Sequence, residues 1–144
     1  MNSRAELVSA VLGHIVEVSR ELRVSGHQPF GARTLSPRQL ELLFVVARRG
    51  KPITAGNLAT ALGVTPGAVS QAMESLQADG LIRIDVHPND GRSRLVSLTP
   101  AAHEEVTAFE AGMAQWMSPK MNSLSVDELR TLSSLLARIA SDNS

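Results

Sequence analysis

The tightest constraint on how this chain can fold is one residue long. Gly63 closes one helical pattern and Thr65-Pro66 opens the next, so only Val64 lies between them. Glycine tolerates the left-handed backbone found just past a helix end. Threonine accepts a hydrogen bond from the first turn, and proline at the first helical position loses an N–H that had no partner anyway. So short a connection forces two helices across each other at a steep angle, the helix-turn-helix arrangement. Thr54 is placed to cap the first of them, whose apolar positions are Leu58, Ala59 and Leu62. Val69, Ala72, Met73 and Leu76 repeat at helical spacing along the second, which stops at Asp79-Gly80.

The neighbouring segments carry equally legible starts. Ser3-x-x-Glu6, Ser36-x-x-Gln39 and Ser125-x-x-Glu128 each read as a capping box, in which Ser and Glu or Gln satisfy one another's backbone N–H groups. The first opens a helix carrying Val8, Val11, Leu12, Ile15, Val18 and Leu22 as far as Gly26. Leu7, Val16 and Val24 make that stripe wider than one packing face requires. The second opens a helix with Leu40, Leu43, Phe44 and Ala47, closed by Gly50. The third opens a leucine-rich helix with Leu129, Leu132, Leu135, Leu136 and Ile139, and Thr99-Pro100 starts a helix over roughly 100–119. Gly26 to Leu35 and the last few residues carry no periodic pattern.

After Gly80 the apolar period changes from 3.6 to 2. Ile82, Ile84 and Val86 alternate with Arg83, Asp85 and His87, as in a half-buried strand. Pro88-Asn89-Asp90-Gly91 is turn chemistry, and Arg92 to Leu98 returns as a second strand with Val96 and Leu98 on one face. The order is helix, helix, helix-turn-helix, β-hairpin, helix, helix. That predicts a mainly α fold with a small β-hairpin wing, a winged helix-turn-helix.

Charge follows the same division. The 144-residue chain is formally neutral, yet Arg33 to Arg94 holds eight basic against five acidic residues, leaving acidic flanks. A basic middle is what contact with nucleic-acid phosphates needs. The absence of cysteine excludes disulfides, thiolate metal sites and a thiol redox switch. Glu6, His14 and Glu17 interrupt the first apolar stretch, so it reads as neither a signal peptide nor a membrane span, and a cytoplasmic protein is expected. His14, His27, His87 and His103 are too scattered to declare a metal site. No Ser-His-Asp arrangement, phosphate-binding glycine loop or HExxH motif is present, so no enzymatic activity, metal or cofactor is expected.

The segments Leu62-Gly-Val-Thr-Pro-Gly-Ala-Val-Ser-Gln71, Leu76-Gln-Ala-Asp-Gly-Leu-Ile-Arg83 and Pro88-Asn-Asp-Gly-Arg-Ser-Arg-Leu-Val-Ser-Leu-Thr99 resemble the MarR family of winged-helix regulators. The Asp90-x-Arg92 pair followed by Leu98-Thr99 is the most specific part of the likeness. The resemblance implies a single domain over residues 1–144, with 36–99 as the DNA-binding lobe and 1–25 together with 100–144 as dimerisation helices. It also implies a homodimer on an inverted-repeat operator of double-stranded DNA, acting as a repressor and released in many members by a small aromatic effector. Two departures stand out. Gln71 occupies a position where the family often has Arg, and no Lys or Arg lies between Pro66 and Asp79, where Glu74 is present.

The expected DNA-binding residues are therefore Thr54, Thr65, Pro66, Gly67, Ser70, Gln71, Asp90, Arg92 and Arg94. Helix N termini at Thr54 and Thr65 to Gly67 would face phosphates, and Gln71 can pair with adenine through two hydrogen bonds. Arg92 would enter the minor groove, while Arg94 would act through phosphates. Each has a plainer reading: Arg92 and Arg94 as solvated hairpin charges, Gln71 as a surface helix residue, Asp90 as a turn residue that also orients Arg92 by an ion pair or does not. Met113, Trp116, Met117 and Met121 can serve packing or a ligand pocket. The alternative function is a winged-helix protein-docking module without DNA binding.

Overall fold

The structure, a computed structural model, describes residues 1–24, 26, 30 and 34–141. The patternless stretch from Gly26 to Leu35 and the C-terminal residues lie largely outside these. The elements are α1 (Arg4–Val24), α2 (Pro37–Arg49), β1 (Ile53–Thr54), α3 (Ala55–Leu62), α4 (Pro66–Ala78), β2 (Ile82–His87), β3 (Asp90–Leu98), α5 (Pro100–Met117), a 3₁₀ turn (Ser118–Met121) and α6 (Val126–Ser141). They form two compact units, one spanning His27–Glu110 and the other combining Met1–Gly26 with Ala111–Ser144.

The first unit holds the core. Leu42, Leu43, Leu58, Val69, Leu76, Leu81 and Val96 are essentially without solvent contact. Burying each such side chain contributes about 1.5–3 kcal/mol, and together they lock α2, α3 and α4 against the sheet. Periodicity placed the inward residues of α4 correctly and, apart from the partly buried Leu62, those of α3, but the face of α2 is centred on Leu42, Leu43 and Val46, with Leu40, Phe44 and Ala47 only partly buried. The run Leu-Leu-Phe-Val-Val-Ala is apolar on too many sides for spacing alone to choose the inward one. Phe44 instead meets Phe109, ring centroids 5.4 Å apart.

The helix-turn-helix forms as its punctuation requires. Gly63 takes the left-handed conformation (φ 64°), its N–H reaching Thr60 O and that of Val64 reaching Ala59 O. The sheet, in contrast, has three strands rather than a bare hairpin, in the order β1-β3-β2 and antiparallel throughout. The two-residue β1 pairs Ile53 with Val96 and Thr54 with Leu95. Two residues are too few for any period to register, and only pairing with β3 makes them a strand. The apolar row on β2 also fades outward: Ile82 is buried, Ile84 half-buried and Val86 58% exposed, because the hairpin leaves the core as it extends.

In the second unit α1 and α6 begin at capping boxes, with Ser3 paired to Glu6 and Ser125 to Glu128. Lys120 in the 3₁₀ turn pairs with Glu21 of α1 while lying 5.2 Å from the centroid of the Trp116 ring. That contact holds the Glu21 carboxyl below its ordinary pKa. Among the described residues of this unit, Met117 is the one fully buried hydrophobic side chain.

Candidate nucleic-acid interface

Thr65 precedes α4 in an extended conformation (φ −70°, ψ 152°), and its hydroxyl accepts the Ala68 N–H at 3.2 Å. Thr54 does the same for α3, accepting from Asn57 N–H at 3.1 Å. Each cap leaves other first-turn N–H groups pointing outward, a partial positive charge that suits an anion. Pro66, Gly67, Ser70 and Gln71 lie exposed along the first two turns of α4. Gly67 is informative because glycine inside a helix costs about 1 kcal/mol relative to alanine. A Cβ added there would meet nothing within 4 Å, so packing within the chain does not demand the glycine. The same holds for Gly56 in the first turn of α3, a position the sequence reading passed over. Both glycines leave room for a surface outside the protein to come close to the backbone.

The wing tip is built differently from the four-residue turn expected. Pro88 and Asn89 alone make the turn, and His87 pairs with Asp90 across it. Val86 then pairs with Arg94, so Gly91, Arg92 and Ser93 bulge out of β3. Bulges of this kind re-aim side chains at a sheet's rim. Asp90 holds the bulge together: one carboxylate oxygen accepts the Arg92 backbone N–H at 3.0 Å and the other accepts the Ser93 hydroxyl at 3.1 Å. The Arg92 N–H, and next the Ser93 hydroxyl, hold the Asp90 carboxyl below its usual pKa.

Asp90 therefore grips the backbone of Arg92 rather than its guanidinium. Among the described residues no ion pair or side-chain hydrogen bond engages that guanidinium, which stands exposed at the bulge. Arg94 is occupied: its Nη1 donates to Gly91 O at 3.2 Å and to Ser93 O at 3.4 Å, splinting the bulge from below. Farther down β2, Arg83 stands 3.9 Å from Asp85. All nine residues expected at the interface fall in the His27–Glu110 unit. Among the described residues no three His, Asp or Glu side chains gather as a metal site would require.

A short recognition helix behind a tight turn, with a bulged hairpin beside it, defines a winged helix-turn-helix DNA-binding protein. Residues 34–93 match a family model described as MarR family. Over those residues the chain is similar to that family of transcription regulators. It is 29% identical to an HTH-type transcriptional regulator of Mycobacterium tuberculosis over 146 aligned positions, 99% of each chain. Its fold is similar to a variant of MepR from a multidrug-resistant Staphylococcus aureus isolate, with TM-score 0.72 at 19% identity over 100% of both chains. Similar too is MepR bound to ethidium bromide, with TM-score 0.61 at 22% identity over 90% of this chain and 94% of that one. Among the described residues no helix is long and apolar enough to cross a membrane.

Proposed function

We propose that the protein is a cytoplasmic homodimer that binds an inverted-repeat operator in double-stranded DNA and represses transcription there. The observation that carries this reading is the uncovered apolar surface of the second unit. Leu7, Val8, Val11, Leu12 and Ile15 on α1 and Leu132, Leu135, Leu136 and Ile139 on α6 are all more than a third exposed. A groove of about 630 Å³ runs between Ile139 and that face of α1. Contiguous apolar surface of this kind marks an association face. A second copy of the chain covers it with the same residues about a two-fold axis, which presents two recognition helices to two half-sites.

On DNA, the first turns of α3 and α4, through Thr54, Thr65, Pro66, Gly67 and Ser70, approach phosphates, and Gln71 reads one base. Arg92 enters the minor groove, where a narrow A·T-rich stretch concentrates negative potential. Arg94 contributes by holding the bulge as well as by its charge. Residues 36–99 act as the DNA-binding lobe, with 1–25 and 100–144 serving dimerisation. Release by a small aromatic ligand is supported by an apolar groove of about 530 Å³ in the helical unit, lined in part by Leu22, Met113, Met117, Met121 and Leu129. Light scattering and footprinting on the same sample test the proposal. A dimer protecting two half-sites about 10 base pairs apart is expected. A stable monomer at micromolar concentration, or a dimer with no preferred duplex, overturns it, the second outcome favouring a protein-docking module.

A further inference from the structure

The capping box of α2 reaches further than a cap needs to. Gln39 Oε1 accepts the Ser36 backbone N–H at 2.8 Å, and Ser36 Oγ accepts the Gln39 N–H at 3.2 Å. The other end of the same amide, Nε2, donates to Ser75 Oγ on α4 at 2.9 Å, thirty-six residues along the chain. The amide's orientation follows from chemistry: a backbone N–H requires an acceptor, so the oxygen faces Ser36 and the NH₂ is left for Ser75. Both functions of one side chain are spent, one on the start of α2 and one on the flank of the recognition helix.

Where Ser75 sits decides what this contact can do. Val69, Ala72, Met73 and Leu76 bury one face of α4, while Ser70, Gln71 and Glu74 lie exposed. Ser75 follows Gln71 by four residues and Glu74 by one, on the edge between those two faces. Apolar packing holds α4 against the core without direction, so it resists separation far better than rotation about the helix axis. A hydrogen bond is directional and weakens steeply when misaligned. Side-chain ends lie about 5–6 Å from a helix axis, so a rotation of about 20° would move Gln71 sideways by about 2 Å. That is enough to break a paired contact with a base edge. At that edge of α4 the Gln39–Ser75 contact, open to solvent, sits one helical turn from the residue proposed to read DNA.

We infer that Gln39 is a positioning residue for sequence readout, setting the rotation of the recognition helix through Ser75 without touching DNA itself. The inference rests on the proposed operator binding. Its prediction runs against the usual expectation for a lost hydrogen bond. Ser75→Ala removes the acceptor yet leaves the cap of α2 intact, and alanine is the better helix former, so thermal stability stays level or rises. Readout nevertheless degrades.

The probes are a duplex enriched from a random pool by the wild-type dimer and a scrambled duplex of equal length. For Ser75→Ala, affinity for the enriched duplex is expected to fall about three- to tenfold, as for one net hydrogen bond, with affinity for the scrambled duplex unchanged. In a Gln39→Ala background the same substitution should change neither affinity further, because the contact is already gone. Gln39→Glu, which keeps the cap and can accept the Ser75 hydroxyl proton, should recover most of the preference lost in Gln39→Ala. Wild-type preference in Ser75→Ala overturns the inference, as does an equal loss on both duplexes or an undiminished effect in the Gln39→Ala background. A wild-type protein that enriches no duplex removes the operator-binding reading itself, and this inference with it.

Discussion

The two units of this chain solve the burial problem in opposite ways. The His27–Glu110 unit surrounds seven large side chains completely, drawn from three helices, one strand and the connection before β2. The helical unit has comparable apolar content on α1 and α6 but leaves it facing outward, with Val16 62% and Ile139 61% exposed. Helix ends do not explain the difference, since both units open helices with full capping boxes. Two long helices, the end of α5 and a 3₁₀ turn have too few neighbours to cover both sides of themselves, whereas three short helices and the start of α5 on a sheet do. The winged-helix unit thus covers its core within one chain, and the helical unit leaves an apolar face exposed.

The strongest way to break that contrast is to put a charge where the second copy should sit. If α6 were merely a solvated helix, Leu136→Asp would be nearly neutral, as exposed substitutions usually are. In a dimer the same change buries an unpaired carboxylate twice. Sedimentation should then show monomer, and operator affinity should fall by about 10²- to 10⁴-fold, the advantage lost when two linked sites become separate. A variant that remains dimeric would mean that α6 is not the interface.

A core truncation in the other unit should behave differently in kind. Leu58 has no solvent contact. Leu58→Ala should destabilise the lobe by about 2–5 kcal/mol through lost burial and the cavity left behind. Its fractional loss should not depend on protein concentration, whereas unfolding of the helical unit should be concentration-dependent. Calorimetry at two concentrations a hundredfold apart separates the two behaviours. Identical concentration dependence in both would erase the distinction between the units.

The wing is the part of the His27–Glu110 unit that most resembles the helical unit, being exposed and supported by few neighbours. Arg92→Ala removes a guanidinium engaged with nothing in the described protein, so folding and assembly should be unchanged. Operator affinity should weaken by about 1–3 kcal/mol per site in a salt-titrated isotherm. Unaltered binding would remove the wing from the interface. Gln71→Ala should do less to overall affinity while relaxing discrimination at one base position.

The smallest expected effect is a pH dependence at the same tip. The Asp90 carboxyl is held below its ordinary pKa by the Arg92 N–H and the Ser93 hydroxyl. A depressed folded-state value stabilises the bulge above the unfolded carboxylate pKa of about 3.9, and the contribution disappears as pH falls through the folded value. Amide exchange at Arg92 should therefore be constant from neutral pH to about 5, after allowing for the chemical exchange rate, and lose protection below about 4. Protection that persists in Asp90→Ala at neutral pH would assign the bulge's order to Arg94 alone.

Local rules carried a good deal of this. Capping, glycine stops and the change of period from 3.6 to 2 are properties of neighbouring residues, so the elements and their order could be read in advance. Most of the nine interface candidates lie at helix starts or the hairpin tip, which are local features, while Ser70 and Gln71 were singled out through the family resemblance. What distance in the chain conceals was missed: the pairing of Ile53-Thr54 with β3, the inward side of α2, and the contact from Gln39 to Ser75. Asp90 and Arg92 show a subtler failure, since residue types alone could not distinguish a carboxylate that holds a guanidinium from one that holds a backbone N–H.

Helix starts and the ends at Gly50, Gly63 and Asp79-Gly80 were legible in the residues themselves, because caps, glycines and prolines act within a few bonds of where they stand. Which apolar face found cover, and which did not, depended on packing between segments far apart in the chain. Periodicity reports that a stripe is hydrophobic, and burial depends on whether another surface lies opposite it. For α4 that surface is in the same chain, whereas much of α1 and α6 stays exposed.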